Sequence, residues 1–357
     1  MTAKTPSASF SVLAIVACVL GLSFSVAAYS STSDAPRTDA DSQTEMQTTG
    51  KTSTEAAPDT VASMAKDNPF AEDSSLPLMA PNFNAIEFEH YRPAFIAGME
   101  QQMEEIEAIA NNSEAPTFEN TLVEMEKSGR LLTRVQRVFF NLASSNTNSD
   151  IQALQAELSP MLSEHSDNIM LNAKLFERIE TLYENRDELD LTTEQNQLLE
   201  ETRRDFVRAG AQLSAEDQEQ IRKLNSRLSS LGTQFSENVL NTTRERAVII
   251  DSAEELAGMS ESDIRAASKA ATERGHEGKY LLSLSNTTRQ PVTAQLDNRE
   301  TRRKVWEASA YRGLGHDDDI DNEPLVLEIA ELRAERAELL GYDNFAAYRL
   351  DAQMAST

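Results

Sequence analysis

The amino-acid sequence predicts a mostly α-helical fold, bundle-like, with one small β-element. Three observations carry that expectation. After residue 88, apolar residues recur three and four apart through long stretches, the spacing of a buried helix face. Only 12 glycines and 11 prolines punctuate 357 residues. The runs between them are rich in Glu, Ala, Leu, Gln and Arg, which lose little rotamer freedom in a helix.

The chain begins with Lys4 as the sole charged side chain of residues 1–28, followed by an apolar stretch from Phe10 to Val26 and the small residues Ala27 and Ala28. This is the layout of a secretory signal peptide cleaved after Ala28 or Ala27. A lipoprotein anchor through Cys18 is the second reading, although cleavage there leaves the apolar Val19-Leu20-Gly21-Leu22 at the mature terminus. An uncleaved anchor is the third, because the run approaches the ~20 residues that a membrane span requires. All three place the folded part outside the cytoplasm, in the periplasm or beyond. Cys18 is the only cysteine, so with the signal removed no disulfide braces the fold and helix packing must suffice. No stable membrane insertion is expected after removal.

Residues 29–67 are dominated by Ser, Thr, Asp, Ala, Gln and Glu, with Met46, Val61 and Met64 as their few large apolar side chains. Such a segment buries too little to offset its ordering entropy, and it reads as a disordered linker. The folded part is expected to occupy residues 68–357, enough for one large core.

From residue 88 helices follow one another. Tyr91, Phe95, Met99, Met103, Ile106 and Ile109 form one apolar face, which Asn111, Asn112 and Pro116 terminate. Pro93 suits the first turn of this helix. A second helix is expected from about Thr117, burying Leu122, Met125, Leu132, Val135, Val138, Phe139 and Leu142. Ser149 with Gln152 has capping-box spacing and opens a helix carrying Ile151, Leu154, Leu158 and Leu162; Thr192 with Gln195 is a second box. After Ser214, the spacing of Ile221, Leu224, Leu228, Leu231 and Phe235 predicts a long helix running nearly antiparallel to a neighbour. Ala247–Ile250 and Lys279–Leu284 have strand length and β-branched or aromatic content, and should pair. Between them Ser260 opens a helix ending near Gly275. In the last stretch, Leu325, Ile329, Leu332, Ala337 and Leu340 lie on one helical face. Glu331, Glu335 and Glu338 stand among Arg333 and Arg336 on the wet side, Gly341 is a left-handed C-cap, and Asp343 or Asn344 caps a following helix with Phe345 and Tyr348.

The net charge of −26 repels phosphate backbones, and no basic stripe with interleaved aromatics is present, which excludes nucleic-acid binding. A zincin needs two histidines one helical turn apart with a glutamate between them, in H-E-x-x-H. The four histidines, His90, His165, His276 and His316, are scattered. His276-Glu277 begins the motif, but Tyr280 stands where the second histidine belongs and Gly275 and Gly278 flank the pair, so a surface turn is expected. His90 reads as part of a helix cap, and His165, beside Glu164 and Asp167, as a residue near a helix end. Asp317, Asp319, Asp321 and Glu328 imitate calcium-loop spacing, but Asn322 replaces the glycine at the sixth position. Capping by Asp321 or Asn322 of the helix from Pro324 is the simpler reading. No phosphate loop and no G-x-S-x-G elbow occurs.

One resemblance runs through the whole chain after residue 67. It is carried by Asn68-Pro69-Phe70, Leu76-Pro77, His90-Tyr91-Arg92-Pro93-Ala94-Phe95, Phe118-Glu119-Asn120-Thr121, Leu131 to Val135, Ala209-Gly210-Ala211, Leu256 to Ser260, Asn286-Thr287-Thr288, Arg299 to Arg302 and the run from Leu332 to Ala355. In this order the blocks resemble the thimet-oligopeptidase family of zinc metallopeptidases, and within it the bacterial peptidyl-dipeptidases. The resemblance implies the helical amino-terminal half of a zincin-type peptidase that hydrolyses short peptides and releases C-terminal dipeptides, in a channel between two helical halves. It also implies zinc held by the two histidines of H-E-x-x-H and a downstream glutamate, with the motif's own glutamate as general base. None of those residues lies in this chain, so no catalytic, cofactor or metal residue is assigned and no zinc is expected to be bound by it. The chain is read as a truncated portion, inactive alone, whose partner is a catalytic half. Ser356 and Thr357 are helix-starting residues with no helix after them. The rivals are an internally cleaving oligopeptidase of the same family, a split enzyme, and a non-catalytic helical peptide-binding protein of the cell envelope.

Overall fold

A computed structural model describes residues 64–315 and 320–355. The signal segment, Cys18, nearly all of the linker, and His316, Asp317 and Asp319 lie outside the described residues. The rest is mostly α-helical with one two-stranded antiparallel sheet. Among the described residues no helix is long and apolar enough to cross a membrane.

The Asn68-Pro69-Phe70 turn anchors the start. Asn68 donates through Nδ2 to the His90 carbonyl at 3.0 Å and accepts from the Phe70 N–H at 3.0 Å, and Phe70 is 1% exposed. Met64, the last large apolar residue of the linker segment, packs against the same core. Helix α1 (Tyr91–Ala110) serves two cores. Its first half, with Tyr91, Ala94, Phe95 and Met99, meets α2 (Arg130–Ser145) and the start of α3 (Ser149–Met170). There Phe95 and Phe139 pack edge to face at 5.3 Å. Its second half, with Ile106, Ile109 and Ala110, meets α4 (Ala173–Glu184) and α5 (Thr193–Ala209). Gly98 lets α1 and α2 touch, since a Cβ there would lie 2.8 Å from the Leu132 backbone.

Two details depart from the sequence expectation. The helix expected from Thr117 through Leu142 is interrupted. A π-helical stretch Glu119–Val123 and a helical turn Glu124–Lys127 end at Ser128, and Gly129, at φ 68°, starts α2 afresh. The Gly129 N–H donates to Glu105 Oε2 at 2.8 Å, a contact from α1 that fixes the break. In α3 the cap is Asn148, whose side chain accepts from the Ile151 N–H at 2.9 Å, and not a Ser149–Gln152 box. The Thr192–Gln195 box forms as expected.

Helix α6 (Ala215–Glu245), capped by Ser214, runs antiparallel to α3. The direction follows from paired contacts: Gln152 with Asn241, Ser159 with Ser229 and Thr233, Asn168 with Arg222. Strands β1 (Val248–Ile250) and β2 (Tyr280–Leu282) pair antiparallel, with Ile249 opposite Leu281. Around them α7 (Glu261–Glu273), α8 (Asn286–Gln295) and α9 (Arg299–Ala310) close a third core with Ile250, Leu256, Leu282, Leu284 and Val305. Helix α10 (Glu323–Leu339) lies antiparallel on α6, as the pairs Asn322 with Asn238, Glu328 with Arg227 and Glu335 with Gln220 show. Gly341, at φ 81°, ends it, with the Tyr342 N–H reaching the Ala337 carbonyl at 2.9 Å, and Asn344 caps α11 (Phe345–Asp351).

Gly98→Ala should drive α1 and α2 apart and lower stability by about 1–3 kcal/mol, read as a lower urea midpoint at unchanged slope.

Candidate functional site

The described histidines go to structural tasks. His90 belongs to the cap of α1, where its Nδ1 accepts from the Glu87 N–H at 2.9 Å. His165, near the end of α3, is 8% exposed with Nε2 2.7 Å from Gln102 Oε1 of α1. Burial pushes its imidazole down to about 4, so it is neutral near pH 7. His276 and Glu277 form the exposed turn expected of them, with the Lys279 N–H donating to the His276 carbonyl at 3.2 Å. Asp321 caps α10 by accepting from the Glu323 N–H at 2.9 Å, whereas Asn322 is buried and accepts from Asn238 Nδ2 at 2.7 Å. Glu328 accepts from Nε and Nη2 of Arg227. Among the described residues no group of three or more His, Cys, Asp or Glu side chains is placed to hold a metal ion.

The fold does assemble a buried polar cluster where α3, α5, α6, α10 and α11 meet. Asn225 of α6 donates through Nδ2 to Asp167 Oδ1 of α3 at 2.7 Å, and each residue is 4% exposed. Asp167 Oδ2 and Asn225 Oδ1 are buried without a hydrogen-bond partner. Desolvation pushes the Asp167 carboxyl up to about 6, against the opposing pull of the Asn225 bond and of Arg222 and Arg336. Arg336, expected on the wet face of its helix, is 6% exposed instead. Its Nη2 donates to the Tyr348 hydroxyl at 3.1 Å, a partner that only the α10–α11 turn brings within reach. Arg208 of α5 completes the cluster, donating to Asp351 at 2.6 Å and to the Tyr348 carbonyl at 2.7 Å, its guanidinium 4.4 Å from the Tyr348 ring centre. Tyr348 therefore meets two guanidinium groups, since Arg336 also approaches its ring, at 5.3 Å. The hydrogen bond from Tyr342, followed by that from Arg208, holds the Asp351 carboxyl below its ordinary range.

A recess of about 360 Å³ lies elsewhere, between α1 and the π-helical stretch, lined by Glu105, Asn112, Asn120, Glu124, Lys127 and Ser128. Its charged groups are already engaged, Glu105 with the Gly129 N–H and Lys127 with Glu124 at 2.8 Å. Ala108 and Ile109 complete its lining, so the concavity is part apolar.

Asn225 is not singled out by the sequence, Arg336 is expected in water, and Asp167 enters only as a neighbour of His165. A signal was present. Asn225 falls four after Ile221 and three before Leu228, and Arg336 falls four after Leu332 and four before Leu340. A polar residue inside an apolar stripe marks a buried polar contact.

Comparison with known proteins agrees with the resemblance carried by the sequence blocks. The model of peptidase family M3 matches residues 292–357. Dipeptidyl carboxypeptidase of Escherichia coli (strain K12) is 39% identical over 290 residues, which are 81% of this chain and 42% of that protein. The Salmonella typhimurium dipeptidyl carboxypeptidase is 39% identical over 293 residues, with the same shares covered. Oligopeptidase A of Salmonella typhimurium is 30% identical over 291 residues, again 81% and 42%. The chain thus spans about 42% of the length of these curated relatives.

Two substitutions probe the structural roles of His165 and Arg208. Because unfolded His165 takes up a proton below its ordinary 6.5 while folded His165 resists until about 4, its contribution to stability is complete above pH 6.5 and is lost as pH falls to 4. His165→Gln should therefore gain on the parent by about 3 kcal/mol between pH 7 and pH 4, measured by urea titration. Arg208→Ala should cost about 1–3 kcal/mol and raise amide exchange in α11 more than in α1.

Proposed function

We propose that this relative of the M3 peptidases builds the helical amino-terminal wall of a metallopeptidase that hydrolyses short peptides, releasing dipeptides from their C-terminal ends. The observation that carries the reading is the 39% identity to two dipeptidyl carboxypeptidases across 81% of the chain, against 30% to an oligopeptidase A. That difference favours dipeptide release over internal cleavage.

The zinc of such an enzyme does not fit the described residues of this chain. A zinc site takes three or four deprotonated donors converging on one point, each histidine giving one ring nitrogen to the ion. His90 at the start of α1, His165 near the end of α3 and His276 on an exposed turn stand on separate elements, and among the described residues no group of three or more His, Cys, Asp or Glu side chains is placed to hold a metal ion. No catalytic step is therefore assigned to these residues, and water activation falls to polypeptide outside this chain. The contribution proposed for the chain is positional. Three apolar cores and a cross-braced helix seam give a rigid surface against which an extended peptide is held, and rigidity is what turns binding into orientation. The net charge of −26 repels phosphate backbones and favours solubility. We also place the protein outside the cytoplasm, on the signal-like layout of residues 1–28.

The experiment is a complementation assay. The purified chain should not hydrolyse N-blocked tripeptides. Addition of the part of the Escherichia coli dipeptidyl carboxypeptidase that this chain does not span should give chelator-sensitive release of C-terminal dipeptides. Chelator-sensitive turnover by the chain alone would sink the reading. Peptide binding with no turnover in any mixture would favour a non-catalytic binding protein. Export is tested separately by fusing residues 1–28 to alkaline phosphatase, which becomes active only outside the cytoplasm.

A further inference from the structure

The Asp167–Asn225 contact has one bond too few. Asn225 Nδ2 donates to Asp167 Oδ1 at 2.7 Å, while Asp167 Oδ2 and Asn225 Oδ1, on residues each 4% exposed, have no partner. Two acceptor oxygens cannot satisfy each other, and a buried polar atom without a partner costs about 1–3 kcal/mol. One proton resolves both deficits. A protonated carboxyl donates from Oδ2 while its Oδ1 still accepts, and a carboxamide offers the complementary N–H and C=O.

We propose that Asp167 and Asn225 form a proton-gated clasp between α3 and α6, closed when Asp167 Oδ2 takes a proton from solvent and donates it in a hydrogen bond to Asn225 Oδ1. Closed, the pair forms a ring of two hydrogen bonds across the seam. Open, the carboxylate keeps the single bond from Asn225 and depends on the cations around it. Those cations come from different elements, Arg222 from α6 and Arg336 from α10, while Glu164 of α3 itself opposes ionisation. His165, also on α3, is neutral and faces Gln102 of α1. Arg336 has its own tie to Tyr348 of α11, so ionisation of Asp167 is felt at the α10–α11 pair as well as at α6.

The direction of the pH effect follows from burial. The folded carboxyl holds its proton up to about pH 6, whereas its ordinary value is 3.8. The contribution of the clasp is therefore complete below 3.8 and is lost as pH rises through 6. The seam is tightest in mild acid and loosens toward neutrality. The clasp is independent of the peptidase reading and involves no metal.

The test uses the full chain in two measurements. First, carbon-detected NMR follows the Asp167 carboxyl, with Asp167→Asn identifying its signal; a midpoint near 6 is expected, and a midpoint in the ordinary carboxylate range overturns the clasp. Second, hydrogen exchange reports opening of the α6 amides around Asn225. Asn at 167 offers a permanent N–H to Asn225 Oδ1 and mimics the closed form. The ratio of wild-type to Asp167→Asn opening should rise about tenfold from pH 5 to pH 7. Parallel profiles overturn the proposal. Should Asp167→Asn fail to fold, the wild-type exchange profile decides by itself: opening that rises through pH 6 in α6 but not in the α7–α9 region supports the clasp, and uniform behaviour refutes it.

Discussion

The antiparallel seam between α3 and α6 is the constraint on which the arrangement of the chain depends. Both helices bury apolar side chains, Leu158 and Leu162 on α3 and Ile221, Leu224 and Leu231 on α6, but burial is indifferent to sliding. Register is fixed by the polar contacts spaced along the seam: Gln152 with Asn241, Ser159 with Ser229 and Thr233, Asp167 with Asn225. A slip of one turn would break these contacts and part the buried Asp167 from Asn225, at a cost of about 1–3 kcal/mol. With α6 fixed, its far face receives α10, again through side chains that match at three places. The terminal helix pair is then fastened by Arg208 and Arg336 around Tyr348.

Helix faces, the Thr192 box, the Ser214 and Ser260 caps, both strands and the Gly341 stop were legible because each rests on a few neighbouring residues whose chemistry acts locally. The break at Ser128–Gly129 was not, since it depends on Glu105 and Gln102 reaching across from α1. Asn148 was overlooked for a neighbouring serine because both are good caps and only the backbone settles which one turns. Arg336 was placed in water by its charge. Its burial follows from Tyr348, a residue that a helical wheel of α10 does not contain.

For the candidate site, the sequence shows directly that H-E-x-x-H is missing, because that pattern is local. It showed poorly what is present. The cluster around Asp167 draws on five helices, and no single helix carries more than two of its members. What remained visible was displacement from type: a polar residue at an apolar position in two separate helices. In a helical chain such residues are as informative as histidines, since a buried polar group must find a partner and the partner identifies the contact.

Asp167 and His165 sit two residues apart on α3 with opposite displacements, the carboxyl raised to about 6 and the imidazole lowered to about 4. Between those limits the folded chain holds a neutral acid and a neutral imidazole, while the unfolded chain holds a carboxylate and an imidazolium. Each state binds one proton at the two sites together. The slope of stability with pH depends only on the difference in bound protons, so it nearly vanishes over this interval even though both groups are individually far from their ordinary values. The same burial that moves the two groups in opposite directions thus hides their titration from any measurement of global stability. Only a local probe, or removal of one of the pair, uncovers the other.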